Sequence, residues 1–191
     1  MKIIGIGRGR ELPNQVYLMA DSAIIKTNKP FFVPHFAQSF TGTPAIALHI
    51  DRLGRHIAPR FAHRYCLAAA PAIKVTACDL AMQQPNEATS ALAHSFDGAL
   101  LLGEFTAIAS PEDINSSEVT VDRNGERAAQ GSLNDIALDF RQLIAQLSVY
   151  FTMKMGDMIV VELGDSDLEL KMGDTLHAAI NGSQKLTIRV K

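Results

Sequence analysis

The sequence predicts an α+β chain in which many short strands form a rolled or barrel-like mixed sheet, with a few helices packed against it. Three observations carry this. Four strand-like runs close the chain, residues 158–163, 168–170, 175–180 and 185–190, with tight turns at Gly156-Asp157, Gly173-Asp174 and Asn181-Gly182. Such spacing suits a rolled sheet better than a doubly wound one. Asn124-Gly125 joins residues 119–122 to 126–130, the strongest short-range hairpin signal. Finally, residues 40–79 read as strand (45–50), turn (Asp51-Arg52-Leu53-Gly54), helix (about 58–70) and strand (73–77). The rest of the chain is organised around that unit.

Taken in order, residues 2–6 form a short strand ending at Gly5-Ile6-Gly7, and residues 8–14 a polar loop closed by Pro13. Short strands at 16–19 and 23–26 flank the turn pair Asp21-Ser22, and 27–34, with two prolines, is a loop. Residues 81–92 read as loop with a little helix, followed by a turn at Ser95-Phe96-Asp97-Gly98. An apolar run at 99–102, a strand at 105–109 and a turn at Pro111-Glu112-Asp113 come next. Ser132 is placed to cap a helix running to Tyr150, with Ile136, Phe140, Leu143, Ile144 and Leu147 on its buried face. No repeat, linker or low-complexity stretch interrupts the chain, so one domain over 1–191 is expected.

At 191 residues, 47% hydrophobic and 20% charged, the chain can bury about 70% of its unfolded surface. The formal charge is −2 and no basic stripe occurs, which argues against nucleic acid. No apolar run approaches the ~18 residues of a membrane helix, and the first residues lack the pattern of a signal peptide. Two cysteines, Cys66 and Cys78, make no CxxC and fit a reduced compartment. The expectation is a soluble, cytoplasmic chain.

Few side chains suggest chemistry. The two strands of the central unit offer Thr43, Ala45 and Lys74, with no carboxylate among them. His56 and His63 lie seven apart on the expected helix, but a pair without a third ligand fits surface or cap positions better than a metal site. His94 precedes a turn beside an apolar run and is a pocket candidate. Asp97 and Asp21 read first as turn formers. Cys78 follows a strand, and only Lys74 is basic nearby, too little to argue a nucleophile. Gly5-Ile6-Gly7-Arg8-Gly9 lacks the spacing of a phosphate loop. Lys74, between Ile73 and Val75, is either an edge residue pointing to water or a buried ammonium able to form a Schiff base. The edge reading is preferred on residue type.

Several stretches carry a family signal, in order and nearly end to end. They are Lys2-Ile3-Ile4-Gly5-Ile6-Gly7-Arg8, Asp21-Ser22-Ala23-Ile24, residues 57–65, Val75-Thr76-Ala77-Cys78-Asp79-Leu80 and Ser95-Phe96-Asp97-Gly98. Asn124-Gly125, Gln130-Gly131, Asp135-Ile136, Gly156-Asp157-Met158-Ile159 and Met172-Gly173-Asp174 complete the set. Together they resemble the fumarylacetoacetate hydrolase family. The resemblance implies a mixed β-roll, usually dimeric. It also implies Mg2+- or Mn2+-dependent hydrolysis of C–C bonds in 1,3-diketo acids, or isomerisation or decarboxylation of related keto acids.

A hard divalent ion needs carboxylate oxygens to hold it while it polarises the substrate. The family supplies them from a Glu-x-Glu and from an aspartate before a Val-Thr-Ala-Arg-Asp-like run. Those positions match Thr43, Ala45 and Lys74 here. The family's pocket lysine is matched by His94, its arginine by Cys78, and its Lys-Pro by Met19-Ala20. A glycine-threonine-proline turn is matched near Glu162-Leu163-Gly164, and the lid shrinks to residues 9–14 without a histidine. Scaffold signatures stay while chemical ones are gone. Three carboxylates with a divalent ion sum to −1, whereas Lys74 with two neutral neighbours sums to +1, a setting for an anion.

The expectation is therefore a non-catalytic paralogue that binds a small anionic carboxylate or serves as a homodimer or heterodimer partner. No cofactor is expected; Mg2+ or Mn2+ belongs only to a different match of the ligand positions. The alternative is an active hydrolase, isomerase or decarboxylase with a site rebuilt from Lys74, His94, Cys78 and Asp79 or Asp97. A third reading is a metal-free enzyme working through Lys74.

Overall fold

The computed structural model describes residues 1–8, 16–82, 87–108, 110, 114–135 and 139–191. Most of the loop expected at 8–14, Pro85 and Asn86, Pro111-Glu112-Asp113 and Ile136 lie outside these residues.

Strands β1 (Ile3–Ile6), β2 (Val16–Met19), β3 (Ile24–Lys26), β4 (Phe40–Ile50), β5 (Cys66–Ala77), β6 (Leu100–Leu102) and β10 (Met158–Glu162) form the main sheet. Their order is β2-β1-β10-β4-β5-β6-β3, with β7 (Thr106–Ala107) added to β5 and β11 (Leu168–Glu169) to β4. β1 runs parallel to β10 and β3 to β6; the other pairs are antiparallel, so the sheet is mixed. β2 and β3 stand first and last in this order, yet only Ala20 and the 3₁₀ turn Asp21–Ala23 separate them in the chain. The sheet must therefore curl until its two edges become neighbours. That is the expected roll.

Curling leaves a narrow interior. It is filled by Ala45, Ala47, Ala70, Ala72 and Ala99 with Ile3, Leu100, Leu102, Met158 and Val160. Small side chains are needed where strands converge on one another. This requirement explains a correction: the helix expected over about 58–70 is absent. Pro59–Arg64 is a single 3₁₀ stretch, and the alanine-rich run after it is the start of β5. Alanine favours helix in isolation, but its size is what the roll's interior selects, and tertiary packing overrides propensity. His56, with φ 52°, and His63 consequently share no helix face.

The outer face of the sheet carries two further layers. Ile46, Leu48, Ile50, Ile159 and Val161 pack under helix α3 (Phe140–Tyr150), through its Phe140, Leu143, Ile144 and Leu147. Asp139, not Ser132, caps this helix by accepting from Arg141 N at 2.6 Å; Ser132 ends a strand instead. Farther along, Ile73, Val75 and Leu101 pack against a second sheet. Its order is β13 (Ser183–Arg189), β12 (Thr175–Ile180), β8 (Glu118–Arg123), β9 (Glu126–Ser132). Asn124 and Gly125 both take positive φ in the β8–β9 turn, as a two-residue hairpin demands. Residues 78–82 and 87–95 are more helical than expected, forming α1 (Cys78–Met82) and α2 (Glu87–Ser95). Among the described residues no helix is long and apolar enough to cross a membrane.

Candidate active site and its polar cluster

Strand side chains alternate, so the interior row of each strand can be followed to its end. Ala70 and Ala72 lead to Lys74, Ala47 and Ala45 lead to Thr43, Met158 and Val160 lead to Glu162, and Met19 leads to Tyr17. Registers place Thr43 opposite Lys74 and Glu162 opposite Ala45. One mouth of the roll therefore ends in a ring of polar groups from four strands.

Lys74 is 0% exposed, which overturns the edge reading. Its Nζ donates to Val75 O at 2.7 Å and lies 5.6 Å from the centre of the Tyr17 ring. Burial pulls its pKa down to about 8, while the Glu162 and Asp167 carboxylates pull it back up. The Tyr17 hydroxyl donates to Glu162 Oε1 at 2.6 Å, and the Thr43 hydroxyl to Asp167 Oδ1 at 2.5 Å. Arg8 pairs with Asp167 and donates to Ser166 O at 3.0 Å. Burial and the neighbouring Glu162 carboxylate raise the Tyr17 pKa well above its ordinary value.

His94, at the end of α2, faces this ring: its Nδ1 is 3.4 Å from Thr76 Oγ1 and its ring centre 6.0 Å from that of Tyr17. Burial, aided by the Lys74 charge, lowers its pKa to about 4. His94 is therefore neutral at pH 7. The expected NMR result is one histidine that does not titrate between about pH 5.5 and 8, where an unperturbed imidazole would.

The remaining candidates are placed differently. Cys78 opens α1; its Sγ is 3.3 Å from Thr41 Oγ1 and 3.7 Å from Thr76 O. Asp79 accepts from Gln38 N and Ser39 N, both at 3.2 Å or more. Asp97 accepts from the Ser22 hydroxyl at 2.6 Å and ties the 95–98 turn to the start of β3. No described contact links either aspartate to Lys74. Arg8, Tyr17, Glu162 and Asp167 are the site residues that sequence reading missed. A signal existed for one of them: a buried lysine needs a counter-charge, and Glu162 sits where the apolar run 158–161 ends.

The counter-charges also correct the expected charge of +1. Lys74 and Arg8 oppose Glu162 and Asp167, so the ring sums to zero with His94 neutral.

Gly5, on β1 beside β2, keeps Tyr17 in place, because a Cβ added there would overlap the Tyr17 ring. Gly5→Ala should displace the ring, break its bond to Glu162 and cost about 1–2 kcal/mol. Thermal melting reads the cost, and loss of the phenol's raised pKa by ultraviolet titration reads the displacement.

The curled mixed sheet with an alanine-lined interior and a polar mouth defines an α+β roll of one particular kind. The chain belongs to the fumarylacetoacetate hydrolase family: the profile for the fumarylacetoacetate (FAA) hydrolase C-terminal domain matches residues 7–191. It is 25% identical over 191 residues to oxaloacetate tautomerase YcgM of Escherichia coli (strain K12), covering 95% of this chain and 84% of that protein. It is 26% identical over 208 residues to the mitochondrial oxaloacetate tautomerase FAHD2 of Arabidopsis thaliana, covering 99% and 90%. In fold it is similar to the fumarylpyruvate hydrolase of Pseudomonas aeruginosa, solved in complex with Mn2+ and pyruvate (TM-score 0.86, 16% identity, 100% of this chain and 89% of that one). It is likewise similar to 5-carboxymethyl-2-hydroxymuconate delta-isomerase of Mycobacterium smegmatis (TM-score 0.86, 22% identity, 99% and 78%).

Side chains at the positions matched to metal ligands do not fit a divalent ion. They are a hydroxyl already given to Asp167, a methyl group, and an ammonium sealed inside the ring. A divalent ion beside that ammonium would meet repulsion and a poor donor set. Among the described residues no three His, Cys, Asp or Glu side chains converge to hold one.

Proposed function

We propose that this chain is a non-catalytic paralogue within its family, a cytoplasmic protein that binds a small carboxylate or serves as the dimer partner of a second copy or of an active relative. One observation carries the reading: the fully buried Lys74 stands where a metal ligand is expected, its charge already answered by Glu162 and Asp167. Arg8 supports the carboxylate. Its side chain, paired with Asp167, is 27% exposed, so unlike Lys74 it carries a positive charge that solvent reaches. The relatives' names make keto acids of the oxaloacetate kind the class to try first.

A second reading, an active isomerase, hydrolase or decarboxylase with a rebuilt site, has the Tyr17–Glu162 bond in its favour, since keto–enol exchange needs only proton donors and acceptors. Against it, and against a Schiff base, Lys74 Nζ is closed off from solvent and held by Val75 O. The test is purified protein with oxaloacetate, with and without Mn2+, followed by the absorbance of the enol. The proposal expects rates equal to those of Lys74→Ala. Turnover above that control would sink it, and a keto-acid adduct trapped by borohydride would revive the lysine enzyme.

A further inference from the structure

We infer that the Lys74 ammonium is the resident cation of this site, tethered by its own side chain inside a ring of polar side chains from four strands. The inference rests on the metal-free reading above and extends it to what the ring now is. Val75 O accepts from the ammonium directly at 2.7 Å, and two carboxylates, Glu162 and Asp167, stand outside ion-pair contact but near enough to favour its charge. Each carboxylate is aimed by a hydroxyl from a different strand, Glu162 by Tyr17 on β2 and Asp167 by Thr43 on β4. The Tyr17 ring presents its electron-rich face to the same ammonium. Four strands and the segment after β10 thus converge on one positive charge, and none of its side chain reaches water.

A cation site whose ion is covalently attached should be convertible. Lys74→Asp removes the tethered charge and adds a third carboxylate beside Glu162 and Asp167. The probe is Mn2+ alone, titrated at neutral pH and followed by the electron paramagnetic resonance of the free ion, with circular dichroism confirming the fold. Wild type is expected to leave the free-ion signal intact. Lys74→Asp should bind with a dissociation constant of about 10⁻⁴ M, and adding Glu162→Gln should weaken that by about tenfold. Folded Lys74→Asp that binds nothing, or binding indifferent to Glu162→Gln, overturns the inference and leaves the proposed function standing. Mn2+ binding by the wild type overturns both.

Should Lys74→Asp not fold, the wild type still decides. The Lys74 Nζ titration, followed by NMR, should fall by about one pH unit or more in Glu162→Gln. An unchanged midpoint means that Glu162 is no partner of this cation.

Discussion

Lys74→Ala should melt about 6–12 °C below the wild type, a loss of about 3 kcal/mol, the largest effect expected of any single change at the site. The reason is packing as much as charge. The lysine stem is among the largest side chains with no exposure at all, and it lies between Thr43 of β4 and Leu100 of β6 in a roll whose interior is rich in alanine. Truncation leaves a cavity that the surrounding strands cannot collapse, and it deprives Glu162 of its counter-charge. Lys74→Met keeps the stem volume and should recover more than half of the loss. Thermal unfolding by circular dichroism measures both. A loss below about 1 kcal/mol for Lys74→Ala would mean the stem does not fill the mouth of the roll.

The second large effect is a rise in stability with pH. In the folded chain Lys74 has a pKa of about 8, against 10.5 for the free side chain. Between those values the unfolded chain binds the proton that the folded chain has released. Unfolding then takes up a proton, so stability climbs as pH rises through the window. From about pH 7.5 to 9.5 the gain is about 2 kcal/mol, or about 4–8 °C in Tm. Tyr17 acts in the opposite direction: its pKa is raised above 10.0, so stability falls once the unfolded phenol ionises. Cys66, pushed up to about 12 by burial, does likewise above 9.0. Stopping at about pH 9.5 limits the first, and comparison with Lys74→Met, which keeps Cys66, cancels the second. The difference between the two proteins should carry the Lys74 slope. Parallel curves would show that the lysine titrates as it does in water.

Much of this fold is legible in the sequence. The β8–β9 hairpin follows from Asn124-Gly125, whose residues both adopt the positive φ the turn requires. Strands β1, β2 and β12 fall on the runs that predict them, and the spacing of Phe140, Leu143, Ile144 and Leu147 identifies the buried face of α3. The failures have physical causes. Local propensity reads Ala68, Ala69 and Ala70 as helix, whereas they open β5, and the roll's interior takes Ala70, with Ala72 beyond it, for their size. Lys74 looks like an edge residue because nothing near it in sequence can balance its charge. Its partners come from far away: Glu162 on β10 meets β4 at Ala45, and Asp167 meets Thr43 across a separation of 124 residues. Residue type and spacing carry no record of such pairings. The matched positions Thr43, Ala45 and Lys74 could be named from the chain, but the ring that closes around them becomes visible only once the strand order is known.

The most direct measurement is the melting temperature of the wild type with and without saturating Mn2+. A ligand at about 100 times its dissociation constant adds about 2.7 kcal/mol, which for a chain of this size is about 5–10 °C. A site that already holds its own cation predicts no shift. A rise of that size would contradict the account and return the chain to the metal-dependent members of its family.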